Sequence, residues 1–182
     1  MKKYELTTET LQFAGRTLHR IKAVKDFGTI QEGELGGWIE NEKNLSQDDN
    51  AWIYREAMAF DNARVCDRAE VYGNAIVYDK AYIYDYAEVY GNVRICGNAT
   101  IKGDAKVHDA IDYIVFKNFW SSGQYFTWTR SNNKWSVECF YGTGEKLIKK
   151  AYADSEKSGR EYERVVRYVE SILADEKKEK SN

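Results

Sequence analysis

The sequence predicts a mainly β protein. Its middle is a parallel β-helix of stacked coils, preceded by a hairpin and followed by a small α+β domain. Three observations predict this. A six-residue unit recurs without interruption from Ile39 to Ala110. Proline is absent from all 182 residues, which suits long ladders because proline removes a ladder donor. The flanks, 1–38 and 111–182, lack the repeat and carry strand and helix periodicities instead.

From Ala51 the hexads read AWIYRE, AMAFDN, ARVCDR, AEVYGN, AIVYDK, AYIYDY, AEVYGN, VRICGN, ATIKGD and AKVHDA. Two weaker units, IENEKN and LSQDDN, carry the frame back to Ile39. Positions one and three are small or aliphatic, so they share one face of a short strand. Positions two and four point the other way. Positions five and six are mostly Gly, Asp, Asn, Lys or Arg; Gly, Asn and Asp tolerate the left-handed backbone of a corner. Three such units close a triangular coil with Ala and Val or Ile inside it. Twelve hexads at three per coil make four coils, with residues eighteen apart lying above one another.

These V-Y-G-N-A units, as at 71–75 and 89–93, resemble the hexapeptide-repeat, left-handed β-helix superfamily. The left-handed coil is what the resemblance implies. The similarity covers residues 39–110. One departure is that many family enzymes place Gly directly after the aliphatic residue, where this chain has Tyr54, Tyr72, Tyr78, Tyr84 and Tyr90. The order of repeat, "CFYGTGEKLIKKAY" and a Tyr-containing helix also resembles small repeat proteins of phages and prophages.

Residues 1–38 read as a hairpin cap, turning at Ala14-Gly15, and then as glycine-rich turns. Residues 111–182 read as strands in "DYIVFKNF", "QYFTWTR" and "KWSVECFY", with a turn at "SNNK". Leu147, Ile148, Ala151 and Tyr152 predict a short helix. Ser158 and Glu161 form a capping box for a second one, with the apolar stripe Tyr162, Val165, Val166, Val169, Ile172 and Leu173. The last residues, "DEKKEKSN", read as a fraying tail.

Bulk properties narrow the function classes. A net charge of −2 with scattered basic residues predicts no nucleic-acid partner. Arg55, Arg64, Arg68, Lys80 and Arg94 interrupt the acids, which argues against mimicry of DNA. No apolar run is long enough for a membrane helix. Three cysteines and no apolar leader predict reduced thiols and a cytoplasmic protein.

The best-known enzymes of the superfamily are acyltransferases that use acyl-CoA and a histidine base. His19 and His108 are the two histidines; His108, at position four of the last hexad, is the catalytic candidate that this resemblance implies, and an exposed end-of-stack residue is the alternative. Two histidines do not make the three-histidine zinc site of the family's carbonic anhydrases. Cys139 reads as a buried strand cysteine, with a nucleophile as the alternative, though no neighbouring base is visible in the sequence. Asp61 with Asp79, and Asp67 with Asp85, read either as corner residues or as a calcium row. No metal or cofactor is expected.

Stacking residues eighteen apart defines three outward faces. Face one carries Tyr54, Tyr72, Tyr90 and His108 beside Trp52, Glu70, Glu88 and Lys106. Trp52, Tyr54, Tyr72 and Tyr90 make a candidate aromatic platform. Face two carries Met58, Phe60, Ile76 and Tyr78, one contiguous apolar patch that implies a cover. The C-terminal helix, a second copy in a dimer or trimer, or a foreign protein are the three coverings. Face three carries Cys66, Tyr84 and Lys102 beside Arg64, Tyr82 and Thr100. The expected function is a non-enzymatic rigid scaffold for protein–protein interaction, in the phage setting an inhibitor of a host defence component. The alternative is an acyltransferase.

Overall fold

The computed structural model describes residues 2–179. Three strands open it: β1 (Tyr4–Phe13), β2 (Arg16–Ala23) and β3 (Leu35–Ile39). Ten two-residue strands follow, β4 to β13 in order: Trp52–Ile53, Met58–Ala59, Arg64–Val65, Glu70–Val71, Ile76–Val77, Tyr82–Ile83, Glu88–Val89, Arg94–Ile95, Thr100–Ile101 and Lys106–Val107. They stack in parallel on three faces: β4, β7, β10 and β13 on the first, β5, β8 and β11 on the second, and β6, β9 and β12 on the third. The first face is four rungs deep, as the hexad count predicts.

The interior is what the small and aliphatic positions dictate. Ala51, Ala69, Ala87 and Ala105 are fully buried, as are Ile53, Val71, Val89 and Val107. Val71 pairs with Val89, and Val89 with Val107. A methyl group on one side and a branched chain on the other fill a narrow triangle at crystal-like density.

The corners explain the fifth position. Asp61, Asp67, Asp79 and Asp85 all lie near φ +58°, in the left-handed region, where short polar side chains are tolerated. Each carboxylate accepts an amide of the coil above: Asp79 from Gly97 at 3.0 Å, Asp85 from Gly103 at 3.0 Å, Asp67 from Asp85 at 3.2 Å and Asp61 from Asp79 at 3.4 Å. These rows are corner staples. Among the described residues no group of three or more His, Cys, Asp or Glu side chains is placed to hold a metal ion. At Gly91 (φ +74°) a Cβ would come within 3.0 Å of the His108 ring, so both backbone and space require glycine.

The first coil departs from the frame. Ile39 lies opposite Ala59 and Leu45 opposite Val65, a spacing of twenty residues, so both occupy position three instead of position one. Ile and Leu are too large for the alanine slot and fit the aliphatic one. The two extra residues are taken up before Ala51, where Asp49 turns left-handed at φ +51°.

Both ends of the rod are closed by polar groups suited to what each end leaves open. Corner amides of each coil donate to carbonyls of the next, as Asn62 does to Asp79 and Lys80 to Gly97. The last coil has no successor, and the C-terminal segment supplies the acceptors. Thr127 Oγ1 accepts from Thr100 N at 2.9 Å, Ser131 Oγ from Lys106 N at 2.7 Å, and the Asp112 carboxylate from His108 N at 3.0 Å. At the opposite end the open groups are carbonyls. The buried Lys3 ammonium donates to Asp48 O, Asp49 O and Ala51 O at 3.1, 3.2 and 2.8 Å, and Tyr4 Oη donates to Leu45 O at 2.7 Å. Lys3→Met keeps the apolar stem but leaves three carbonyls without donors. Urea unfolding should report a loss of about 1–3 kcal/mol, the usual cost of orphaned buried polar groups.

The C-terminal part is an antiparallel sheet, β14 (Tyr113–Lys117), β15 (Tyr125–Thr129), β16 (Lys134–Val137) and β17 (Phe140–Gly142), in that order. Helices α1 (Gly144–Asp154) and α2 (Glu156–Glu179) cover it. "KWSVECFY" is therefore two strands; Glu138 turns at φ +49°, and Cys139, expected to be buried, is exposed at that turn. The helix α2 begins three residues earlier than the capping box at Ser158 implies. Ser155 is the cap, its Oγ accepting from Ser158 N at 3.1 Å. Tyr162, Val166 and Val169 pack into the core of this sheet, so α2 does not cover face two. Residues 175–179 of the expected tail are helical; 180–182 lie outside the described residues.

Candidate functional site

Face two has a cover that none of the three expected coverings names: the chain's own first hairpin. Only the proximal half of β2 pairs with β3, through His19, Arg20 and Lys22. The distal half curls over the outer surface of the coil. Leu18 is buried with Trp38, Phe60 and Ile76, and Leu11, Phe13, Met58 and Tyr78 pack around them. Phe13 meets Phe60 at 5.8 Å between ring centroids, and Phe60 stacks on Tyr78 at 5.4 Å. Arg16 lies over the Phe60 ring at 5.4 Å and pairs with Asp61. The interface expected at Met58, Phe60, Ile76 and Tyr78 is thus largely an intramolecular one. Alternation in β1 and β2 predicts the hairpin; the direction of its curl depends on twist, which no local pattern carries.

The hairpin stops short. Beyond its tip at Ala14-Gly15, a cleft of about 330 Å³ remains, floored by Phe13, Phe60, Ile76 and Tyr78. Arg16 and Arg94 stand at its sides with Asp61 and Asp79. Arg94 is exposed and forms no ion pair among the described residues.

Face one is a ladder in which most rings spend their faces on one another. Tyr72 and Tyr90 stack at 4.9 Å and 5°. Tyr90 meets His108 at 5.3 Å, and Tyr54 stands at 87° to Tyr72. The hydroxyls are also engaged, Tyr54 with Glu70 at 3.2 Å and Tyr72 with Glu88 at 3.0 Å. The Lys106 ammonium, 2.9 Å away, and the Tyr72 hydroxyl hold the Glu88 carboxyl below its usual range. Burial, then the Glu70 charge, pushes the Tyr54 phenol up to about 12. Trp52 does not belong to an exposed platform. It points outward as position two requires, but Tyr4 and Phe27 lie edge-on against it at 6.2 and 5.3 Å, and it is fully buried. What remains open is a hollow of about 490 Å³ bounded by Tyr54, Arg55, Tyr72 and Asn74.

His108 is exposed at the end of this ladder, against Tyr90. His19 lies opposite Ile39 in the first coil, so the two histidines occupy opposite ends of the rod. Cys66 and Cys96 sit on different faces and are free thiols. No helix among the described residues is long and apolar enough to cross a membrane.

No family model matches the chain. Over 72 residues it is 38% identical to the "Uncharacterized acetyltransferase YdcK" of Escherichia coli (strain K12). The match covers 35% of this chain and 22% of that protein, so it spans under a quarter of the relative's length. With its parallel strands stacked on an eighteen-residue register and this similarity to an acetyltransferase, the chain is a hexapeptide-repeat β-helix protein.

Proposed function

We propose that the chain is a non-enzymatic β-helix scaffold that holds a protein partner in the cleft beyond the hairpin tip. The observation that carries this reading is the strip of face two left uncovered there. Half-buried Tyr78 supplies the open apolar surface above the buried Ile76, and Arg94 supplies a cation and Asp79 an acid, neither in an ion pair among the described residues. A segment with an aromatic or aliphatic side chain next to a carboxylate fits that chemistry. The apolar contact would carry affinity, and Arg94 would steer association. In the phage setting that the sequence resembles, the partner is a host component.

The test compares capture from the native host by wild type, Tyr78→Ser and Arg94→Glu, with urea midpoints as the control for folding. A protein held by wild type and held about tenfold less by both variants supports the reading. Equal capture by all three overturns it. Mass in solution is read alongside. A dimer or trimer that Arg94→Glu dissociates makes the partner a second copy of this chain.

The similarity to an acetyltransferase favours a second reading, an acyltransferase using acyl-CoA with His108 as base. An exposed imidazole has the chemistry of a general base. Calorimetry with acetyl-CoA distinguishes the two. Binding, together with turnover that His108→Ala abolishes, would replace the scaffold with the enzyme.

A further inference from the structure

Face three is left open by the hairpin, and it carries a cation that the fold does not satisfy. Lys102 is only 8% exposed. Its ammonium lies over the rings of Tyr84 and Tyr141, 5.3 and 5.1 Å from their centroids. It has no hydrogen bond or ion pair among the described residues. Nor is the tip sealed in. The buried side-chain atoms that lack both accessible surface and a partner belong to Arg20, Trp38, Trp52, Asn118 and Trp120, so Lys102 Nζ reaches solvent between the two rings. Taking a cation nine-tenths out of water without a counter-ion is costly, and the ring faces relieve only part of that cost.

The surface around this ammonium is rich in donors and poor in free acceptors. Arg64 lies opposite Tyr82 in the ladder. It is exposed, with no ion pair or hydrogen bond among the described residues. Arg68 donates to Tyr86 Oη at 2.7 Å and covers that ring at 5.2 Å, without a carboxylate partner. Tyr86 is 60% exposed. Tyr82 stacks on Tyr84 at 4.4 Å. The phenolic protons of Tyr84 and Tyr86 are donated to no acceptor among the described residues. The neighbouring acids serve the fold. Asp67 and Asp85 accept amides of the next coil, and Asp104 accepts from Asn132 Nδ2 at 2.9 Å.

We infer that face three docks an acidic segment of another protein, with one carboxylate seated on the Lys102 ammonium between Tyr84 and Tyr141 and others meeting Arg64 and Arg68. The chemistry left open is cations and hydroxyl donors, so the ligand must bring negative charge and acceptors. Ring faces are largely taken: Lys102 occupies Tyr84 and Tyr141, Arg68 occupies Tyr86, and Tyr82 lies on Tyr84. Little is left for the bases of a single-stranded nucleic acid to stack on. The corner charges of Asp67 and Asp85 also oppose a continuous phosphate chain, while isolated carboxylates can pass between them. Tyrosines and arginines around a desolvated charge are the makeup of a protein-binding hot spot. This surface is distinct from the cleft at the hairpin tip and does not depend on it.

The probe is a fluorescent decapeptide of alternating Glu and Ser, titrated against the full-length chain by anisotropy. The Gln–Ser decapeptide and an oligothymidylate of the same length are the rivals. The Glu peptide should bind at submillimolar concentration, weaken as salt is raised, and exceed the Gln peptide about tenfold. Lys102→Met keeps the apolar stem and removes the charge; it should weaken the Glu peptide about tenfold with the urea midpoint unchanged. Arg64→Gln disturbs no contact of the fold and should weaken binding and flatten its salt dependence, which keeps the inference testable if Lys102→Met does not fold. Arg94→Gln should leave binding intact, which separates this surface from the cleft. No binding of the Glu peptide overturns the inference. So does equal binding of the Gln peptide, tighter binding of the oligothymidylate, or binding lost with Arg94→Gln and kept by Lys102→Met and Arg64→Gln. A dimer in solution that Lys102→Met dissociates also overturns it, by making the occupant a second copy of this chain.

Discussion

A Val89→Asp chain is expected to lose its β-helix altogether. Val89 is fully buried, with Val71 directly below and Val107 directly above. A carboxyl group there has no partner and no water. Burial raises its pKa and keeps it protonated; holding the proton at pH 7, about three units above the ordinary Asp value, costs about 4 kcal/mol, and the lost packing of the valine adds to that. A domain of this size is stable by only about 5–15 kcal/mol. The position also matters. Each coil touches only its neighbours, so a break in a central coil removes the interfaces on both sides. Val89→Ala, by contrast, should cost about 2 kcal/mol and still fold. Far-ultraviolet circular dichroism of the two variants checks this; a native spectrum for Val89→Asp would mean that the interior is wet or loosely packed.

Alkali should unfold the protein in one step tied to its tyrosines. Fourteen are present. Burial, then the Glu70 charge, pushes Tyr54 up to about 12; burial, then the Asp104 charge, does the same to Tyr141. Tyr4 and Tyr72 are raised further, chiefly by burial, and Tyr82 chiefly by its hydrogen bond with Cys66. An unfolded tyrosine ionises near pH 10. Above that pH the unfolded chain binds fewer protons than the folded one, so stability falls as pH rises. The contribution is present in full below about pH 10 and is lost toward about pH 12.

Lys3 acts in the opposite sense. Burial lowers its ammonium to about 8, so between about pH 8 and the ordinary lysine value near 10.4 the unfolded chain binds more protons and stability rises. The urea midpoint should therefore climb slightly from about pH 8 to 10 and then collapse. Phenolate absorbance should rise steeply together with the loss of circular dichroism. Gradual ionisation with a native spectrum throughout would refute the coupling.

The coil was legible because each hexad repeats the same instruction. A small residue at position one and an aliphatic one at position three have one shared solution, and Asp or Gly at position five marks each corner. Where units lack that signature, the frame slips, as at Ile39 and Leu45, whose side chains choose the slot that fits their volume. Features made by distant segments were harder to read. Trp52 and the Met58–Tyr78 patch point outward, as the repeat requires, yet they are covered by the first forty residues. That cover follows from the twist and reach of a hairpin, which local alternation does not encode. "VECFY" reads as an unbroken strand because the left-handed Glu138 that divides it carries no glycine signal, and that turn is what exposes Cys139.

The two closed ends have a consequence for how such a rod can change length. The donors of Lys3 and Tyr4 and the acceptors of Thr127, Ser131 and Asp112 each engage a terminal layer and are indifferent to how many layers lie between. Duplication or loss of one eighteen-residue layer would move the termini by about 4.8 Å and leave both seals intact. A lineage can therefore adjust the distance between its hairpin and its helices in discrete steps, while any other increment would put the seals out of phase.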